Sequence, residues 1–148
     1  MWLTRIDDNC KGWQVMALPI KGGKITTKFA VPGTHWKTGR HEGVDFAVPD
    51  GTDVLAVADG VVTGVGSPWG KAYGSHSIVI HHGKHGYMIY AHNQKALVKV
   101  GDKVKKGQHI AESGHDGNVT GPHLHVELQH GPGWKRGGGL DPEALFKA

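Results

Sequence analysis

Three short histidine-containing motifs hold the side chains of this sequence that are best suited to chemistry. The first covers residues 123–128, where polar and apolar residues alternate. Successive side chains of a β-strand point to opposite faces, so His123, His125 and Glu127 are expected to share one face. Neutral imidazole is the commonest metal ligand among side chains and titrates near neutral pH. The motif predicts either a pair of imidazoles for metal binding and proton transfer or a solvated polar strand face.

The second motif places His41 and Asp45 on either side of Gly43. In an extended strand their Cα atoms would lie roughly 13 Å apart, too far for both side chains to bind one ion at about 2 Å. Glycine permits the bend that would bring them together. A helix is disfavoured because glycines and β-branched residues surround the motif. The motif predicts a bent metal-binding pair or a charged turn.

The third motif is His92, which follows an apolar run over residues 87–91. By itself, a histidine at the end of a strand is typical of a hydrogen-bonded structural residue. Beside the other two motifs it supplies a further imidazole. Three protein ligands, an open fourth position and spare imidazoles are the arrangement of a catalytic zinc site.

β-Structure has to position these motifs, because short β-branched runs alternate with turn residues along the chain and 24 of its residues are glycine. The loops between the runs are too short for crossover helices, so an all-β, mainly antiparallel fold is predicted. A helical turn is expected only over residues 141–146, with Asp141 as N-cap and Pro142 as the first helical residue. The predicted strands cover residues 25–29, 44–47, 53–58, 60–65, 76–82, 87–92, 108–112 and 123–129.

The length of 148 residues, with 38% hydrophobic and 20% charged residues, is typical of one globular domain. We predict an irregular N-terminal leader over residues 1–18 and the folded domain over residues 19–148. No apolar run is long enough to cross a bilayer and the start has no apolar core of a secretion signal, so neither membrane insertion nor cleavable export is expected. Cys10 is the single cysteine, which excludes an internal disulfide.

The formal net charge of +4 is spread along the chain. This charge favours an anionic partner, but the chain has neither a basic helix nor the basic stretch with interleaved aromatic residues that binds nucleic acid. We therefore expect no nucleic-acid partner. The chain is expected to act as a monomer.

Taken together, the motifs resemble those of the lysostaphin-type zinc metallopeptidases, which cleave peptides of bacterial peptidoglycan. The similarity extends from about Pro19 to Leu145. It rests on the HEGVD sequence of residues 41–45, the YAH sequence of residues 90–92 and the GPHLHVE sequence of residues 121–127. The resemblance implies curved antiparallel sheets of the lysostaphin type, described as a duplicated hybrid motif of barrel-sandwich form.

The resemblance also implies how the site residues divide their roles. His41, Asp45 and His125 would bind one Zn²⁺ per chain, with water at the fourth position. His92 and His123 would form the catalytic pair, with His123 as the base and His92 as its orienting partner. Two imidazoles beside one water can exchange these roles.

The implied function is hydrolysis of a peptide bond in the stem peptide or cross-bridge of peptidoglycan. A non-catalytic peptidoglycan-binding or hydrolase-activating module of the same fold is the alternative. The sequence does not distinguish whether the cleaved bond is Gly-Gly, D-Ala-Gly or D-Ala-diamino acid. The loops over residues 29–40, 64–75 and 114–121 are expected to determine which of these bonds the protein accepts. Because a wall hydrolase without an export signal needs another route to the wall, a bacteriophage lysin or virion-associated hydrolase is predicted.

The sequence departs from the family pattern at two places. Asn93 follows His92 where relatives usually have leucine, and residues 34–36 stand where many relatives place a tyrosine that helps to hold the oxyanion. His35 is a candidate for that role, with a plain loop histidine as the alternative. Among the other histidines, His82 is expected to be structural and His81 and His85 solvated. No ligand role is expected for His76, His109, His115 and His130.

Overall fold

The computed structural model describes residues 2–5, 13–36 and 38–146. In this part of the chain, short β-strands predominate and all of their pairings are antiparallel. The strands are β1 (Trp2–Arg5), β2 (Trp13–Met16), β3 (Ile25–Thr27), β4 (Val44–Phe46), β5 (Asp53–Leu55), β6 (Gly60–Gly66), β7 (Ser77–His81), β8 (Tyr87–Ala91), β9 (Lys95–Ala96), β10 (Lys103–Val104), β11 (His109–Glu112) and β12 (Leu124–Gln129). The helix α1 (Glu143–Phe146) and two 3-10 turns, Lys71–Tyr73 and Gly83–His85, complete the elements.

The strands form three sheets. The largest has seven strands in the order β10-β6-β7-β8-β12-β4-β3, and a smaller sheet has the order β5-β11-β9. A separate two-stranded sheet consists of β1 and β2. The prediction of a mainly antiparallel all-β fold is therefore confirmed. None of the helices in the described ranges is both long and apolar enough to cross a membrane.

All eight predicted strand regions contain strands, although most of these are shorter than predicted. The two-residue strands β9 and β10 were not predicted, since two residues carry no readable alternation. The prediction that residues 1–18 are irregular was wrong, because Trp2 pairs with Met16 and Arg5 pairs with Trp13. Strands of four residues show too little periodicity to be detected. The division into leader and domain stays a prediction, and Cys10 lies outside the described residues.

One face of the seven-stranded sheet packs on the three-stranded sheet. The core joins β12 residues Leu124, Val126 and Leu128 to residues of the smaller sheet such as Val54 and Ile110. Because side chains alternate along β12, His125 and Glu127 lie on the opposite face of the sheet. The expected division of the two faces of β12 is therefore confirmed.

The helix α1 closes one side of this core. The backbone N–H of Glu143 donates to Asp141 Oδ1 at 3.0 Å, so Asp141 caps the helix as expected. Leu145 and Phe146 are buried, and the Phe146 ring lies 6.0 Å from that of Phe46. This packing fixes β4, the strand that carries Asp45.

A buried polar network connects β8 to two loops in the core. His82 Nδ1 donates to the Asp59 carbonyl at 3.1 Å, and His82 Nε2 accepts from the Tyr90 hydroxyl at 2.9 Å. The Tyr90 hydroxyl also accepts a hydrogen bond from the backbone N–H of Val57 at 3.1 Å. Every group in the network has a partner only when His82 is neutral, and burial lowers the pKa of His82 to about 4. His82 is thus structural, as predicted.

This network predicts a loss of stability in mild acid. Between pH 6.5 and about 4, the unfolded chain binds a proton at His82 that the folded chain does not. The free energy of unfolding should therefore fall as the pH is lowered through this range, by roughly 3 kcal/mol at most from this residue. Urea unfolding at several pH values measures the slope. The His82→Gln variant, which has no titrating ring, should show a smaller slope, and equal slopes in the two proteins would contradict the prediction.

Candidate active site and metal centre

The pairing of β12 with β4 places two of the predicted site residues side by side. In this pairing His125 lies opposite Asp45. The chain bends at Gly43, just before β4, and the bend brings His41 to the same place. A Cβ atom at position 43 would collide with the carbonyl oxygen of Val126, so only glycine lets the chain pass this close to β12. The bend that the sequence required is present.

His41, Asp45 and His125 bring one donor atom each into a small space. His41 Nε2 lies 3.2 Å from Asp45 Oδ2, and His125 Nδ1 lies 2.6 Å from Asp45 Oδ1. One donor atom from each of the three residues lies within 4.8 Å of the other two. Ligands on a tetrahedral zinc at about 2.0–2.1 Å are separated by about 3.3 Å, so this spacing fits a single ion.

The second ring nitrogen of each histidine in this group is held by another acceptor. His41 Nδ1 donates to the carbonyl of Lys28 at 2.9 Å. His125 Nε2 donates to Glu127 Oε1 at 2.9 Å. Such outer partners fix the tautomer and the ring orientation of histidine ligands. His41 Nε2 and His125 Nδ1 are therefore the ring nitrogens that face Asp45 and are placed to bind a metal ion or a proton.

The charges around His125 favour a cation. Burial by itself lowers the pKa of His125, but hydrogen bonds and charge interactions with Asp45 and Glu127 outweigh it and raise the pKa to about 10. Burial raises the pKa of Asp45, yet hydrogen bonds to His125 and His41 bring it well below its usual value. Two nitrogen donors and a carboxylate in such a field suit a divalent metal as well as a proton.

His92 and His123 lie next to this group. Their ring centroids are 4.9 Å apart, and the His92 centroid is 6.0 Å from that of His125. His92 Nδ1 donates to the Asp116 carbonyl at 2.7 Å, and His123 Nδ1 donates to the Gly121 carbonyl at 3.0 Å. Both hydrogen bonds use Nδ1, so the Nε2 lone pair of each ring takes no part in them. The structure brings all five predicted site residues together.

The backbone and burial of His92 are unusual. Its φ angle is 68°, a left-handed conformation that costs a residue other than glycine on the order of 1–2 kcal/mol. Burial lowers the pKa of His92 to about 4, so the ring is neutral at neutral pH. Strained residues of this kind persist where the surrounding structure fixes them, and they cluster at active sites.

The five residues line one open cavity of about 660 Å³. Its walls include residues of all three loops that were expected to shape substrate choice: His35, Trp36 and Thr38 from the first, Ala72 and Tyr73 from the second, and Asn118, Val119 and Thr120 from the third. A fourth loop, the glycine-rich loop over residues 131–139, contributes Trp134 to the wall. Nothing in the amino-acid sequence indicated that this loop reaches the site.

Tyr73 and Glu127 are site residues to which the sequence analysis assigned no role. The Tyr73 hydroxyl donates to Glu127 Oε1 at 2.7 Å, and its ring stacks 6.1 Å from that of His125. Burial and the nearby carboxylates of Glu127 and Glu42 raise the pKa of Tyr73 well above its usual value, so the hydroxyl stays protonated. Glu127 was visible as the third polar residue of its strand face, whereas no sequence signal marked Tyr73.

The departures from the family pattern have local structural consequences. Asn93 is buried, and its side-chain N–H groups donate to the carbonyls of Tyr90 and His76 at 2.9 Å and 3.1 Å. His35 lies at the cavity wall with its ring 3.7 Å from that of Trp36. The oxyanion role of His35 stays a prediction.

The remaining histidines lie outside the cavity. The expectation that His81 is solvated was wrong in part, because its ring is half-buried and stacks 4.2 Å from that of Tyr87. His85, in the 3-10 turn Gly83–His85, is likewise half-buried rather than fully solvated. His130 is exposed. His76, His109 and His115 lie within 3.4 Å of the carboxylates Asp116, Asp53 and Asp50, respectively.

Antiparallel sheets that bring two histidines and a carboxylate, a candidate metal site, next to two further histidines are typical of a class of metallopeptidases. The sequence pattern of Peptidase family M23 matches residues 39–142, and the chain belongs to this family. The resemblance to lysostaphin-type metallopeptidases is thereby confirmed.

Individual relatives agree with this assignment. The peptidoglycan DD-endopeptidase ShyA of Vibrio cholerae is 44% identical over 108 residues, which are 71% of this chain and 24% of ShyA. The murein hydrolase activator EnvC of Escherichia coli is 39% identical over 90 residues, which are 61% of this chain and 21% of EnvC. The catalytic domain of the antimicrobial peptidase lysostaphin from Staphylococcus simulans superposes with a TM-score of 0.76 at 31% identity, covering 86% of this chain and 95% of that domain. The chain spans about a quarter of the length of the curated relatives.

Proposed function

We propose that this chain is a zinc-dependent endopeptidase that hydrolyses peptide bonds of bacterial peptidoglycan. The observation that carries the proposal is the convergence of three metal-donor residues and two further histidines on one open cavity. Similarity to ShyA and to the lysostaphin catalytic domain supports the same activity.

His41, Asp45 and His125 would hold one Zn²⁺ per chain. Three protein ligands leave the fourth position open, as in catalytic zinc sites. When bound there, zinc lowers the pKa of a water molecule and polarises the carbonyl group of the peptide. The Glu127 carboxylate accepts the Nε2–H of His125 and thereby fixes the orientation of that ring. The Lys28 backbone carbonyl accepts the Nδ1–H of His41 with the same effect.

His123 and His92 would manage the proton and the developing charge. His123 Nε2 lies 3.8 Å from Asp45 Oδ1, at the edge of the donor group, so we assign it the role of general base. His92 enters the reaction neutral because its pKa is low, and its Nε2 lone pair would accept a hydrogen bond from the attacking water and orient it. The two rings lie close enough to exchange these roles.

The non-catalytic alternative has a specific observation in its favour, the similarity to the activator EnvC. Such a module needs the fold but does not need the metal donors. In this chain all three donors are present, and outer partners fix the ring tautomers of the two histidines among them. We therefore favour the enzyme.

The proposal also includes the binding partner and the place where the protein acts. The partner is peptidoglycan, and we expect the protein to act on the cell wall as a monomer. The prediction of a bacteriophage lysin finds no support in relatives such as ShyA and EnvC, which are bacterial proteins, and it stays a prediction.

Elemental analysis combined with wall digestion tests the proposed function. We expect about one zinc per chain and release of free amino groups from purified walls, with loss of the release after chelation and its return when zinc is added back. Comparing amine release from walls with glycine cross-bridges and from walls with direct diamino acid cross-links identifies the class of bond that is cleaved. Wall binding without amine release by the zinc-loaded protein would favour the non-catalytic module.

A further inference from the structure

His92 lies where the loops over residues 64–75 and 114–121 meet. Its ring Nδ1–H donates to the backbone carbonyl of Asp116 at 2.7 Å, and its backbone N–H donates to the carbonyl of Tyr73 at 2.9 Å. The backbone N–H of Asp116 in turn donates to the carbonyl of His92 at 3.4 Å. The partner of one ring nitrogen decides which nitrogen carries the proton. The position of the Asp116 carbonyl therefore determines whether His92 Nε2 has a free lone pair.

The side chain of Asp116 joins these two loops directly. Its Oδ2 accepts the backbone N–H of Ser75 at 2.9 Å and the hydroxyl of Ser75 at 2.6 Å. His76 Nδ1 lies 3.4 Å from the same oxygen. The hydrogen bonds from Ser75 lower the pKa of Asp116, so the group is a carboxylate at neutral pH and these bonds are charge-assisted. The residue whose carbonyl holds the His92 ring is thus anchored to the opposite loop by its own side chain.

Two glycines allow the loops to pack this closely. The φ angles of Gly74 and Gly117 are 94° and 101°, which residues with a side chain rarely adopt. A Cβ atom on Gly74 would lie 2.8 Å from the carbonyl oxygen of Asp116, and one on Gly117 would lie 2.5 Å from the carbonyl oxygen of Ala72. The carbonyl that accepts the His92 ring proton is therefore packed against the backbone next to Ser75.

We propose that the hydrogen bonds between Ser75 and Asp116 form a clasp that keeps the Asp116 carbonyl on His92 Nδ1, which makes Asp116 and Ser75 positioning residues for the reaction. The inference rests on the proposed function, because it takes His92 as a member of the catalytic pair. Neither side chain lines the cavity or belongs to the metal-donor group, so we expect their effect to reach the reaction through His92. Without the clasp the ring can adopt the other tautomer, in which Nε2 carries a proton and accepts none from water.

The tautomer of His92 tests the clasp without any turnover. Heteronuclear NMR of isotope-labelled, zinc-loaded protein at neutral pH distinguishes a ring that is protonated at Nδ1 from one that is protonated at Nε2. The His92 signals are assigned by their loss in His92→Gln. We expect the Nδ1–H form in the wild type. Asp116→Ala removes the acceptor of both hydrogen bonds from Ser75, so it should shift His92 toward the Nε2–H form.

The rate of amine release links the tautomer to the reaction. Outer partners that orient functional histidines typically contribute 10- to 100-fold, so kcat of Asp116→Ala should fall by about 10-fold. Its zinc content should stay at one per chain, because the clasp includes none of the three donors. Ser75→Ala keeps the backbone donor and should show smaller changes of tautomer and rate. Asp116→Asn keeps an oxygen that can accept from Ser75, so it should recover part of both, and it replaces Asp116→Ala if that variant fails to fold.

Asp50→Ala is the matched control. The side chains of Asp50 and Asp116 are both 39% exposed and both lie beside a surface histidine, His115 in the case of Asp50, but Asp50 lies outside the two loops. This variant should keep the wild-type tautomer and rate. A wild-type ring protonated at Nε2, an unchanged tautomer in Asp116→Ala, an equal shift in Asp50→Ala, or a shifted tautomer with wild-type kcat would overturn the clasp. Because the tautomer is measured without cleavage, a failure of the proposed hydrolysis would appear separately, as absent amine release by wild-type protein.

Discussion

The His125→Ala variant is expected to lose the metal while it keeps the fold. His125 supplies one of three donor atoms and is the donor that lies 2.6 Å from Asp45. Two remaining ligands hold a divalent ion far less tightly, so zinc affinity should fall by about 10³-fold or more, and peptide hydrolysis should be lost with it. The metal content after dialysis against a weak chelator, together with a zinc titration, measures the effect.

His123→Ala is the matched control for this experiment. It removes a histidine of the same strand face, two residues away, whose Nε2 lies 3.8 Å from Asp45. If the proposed roles hold, His123→Ala retains one zinc per chain under the same dialysis. Equal metal loss in the two variants would contradict the division between ligand and catalytic histidines. Circular dichroism checks that both variants keep the β-fold.

Alternation and spacing predicted the shared strand face of His123 and His125 and the bend between His41 and Asp45, whereas the choice of His41, Asp45 and His125 as metal donors came from the family resemblance. The period of two along β12 separates His125 from the core residues Leu124 and Val126, and the structure has this separation. The requirement for a bend between His41 and Asp45 followed from strand dimensions alone. Local geometry constrains both features strongly, so they were visible before any tertiary contact was known.

Tertiary contacts account for the features that the sequence did not predict. Tyr73 lies 54 residues from Glu127 along the chain, and only the fold brings its hydroxyl to the carboxylate. Trp134 reaches the cavity from the glycine-rich loop over residues 131–139, whose composition did not indicate a contact with the site.

The exact ends of the strands also could not be predicted from the sequence. The prediction assigned His92 to the end of a strand, yet β8 ends at Ala91 and His92 turns into a left-handed conformation. A single non-glycine residue with positive φ has no reliable sequence signal. This turn is nevertheless what directs the ring of His92 toward His123 and the Asp116 carbonyl.

His123→Ala should abolish turnover although the metal is retained. General base catalysis typically contributes 10²- to 10⁴-fold, so the rate of amine release should fall by about 10³-fold, equivalent to about 4 kcal/mol in the activation barrier. The loss should appear in kcat, because the ring is proposed to act on the reacting water rather than on substrate binding. His109→Ala, a change at an exposed histidine outside the cavity, should leave the rate unchanged. A zinc-loaded His123→Ala variant with nearly wild-type kcat would assign the base to His92, whose own alanine variant would then show the large loss.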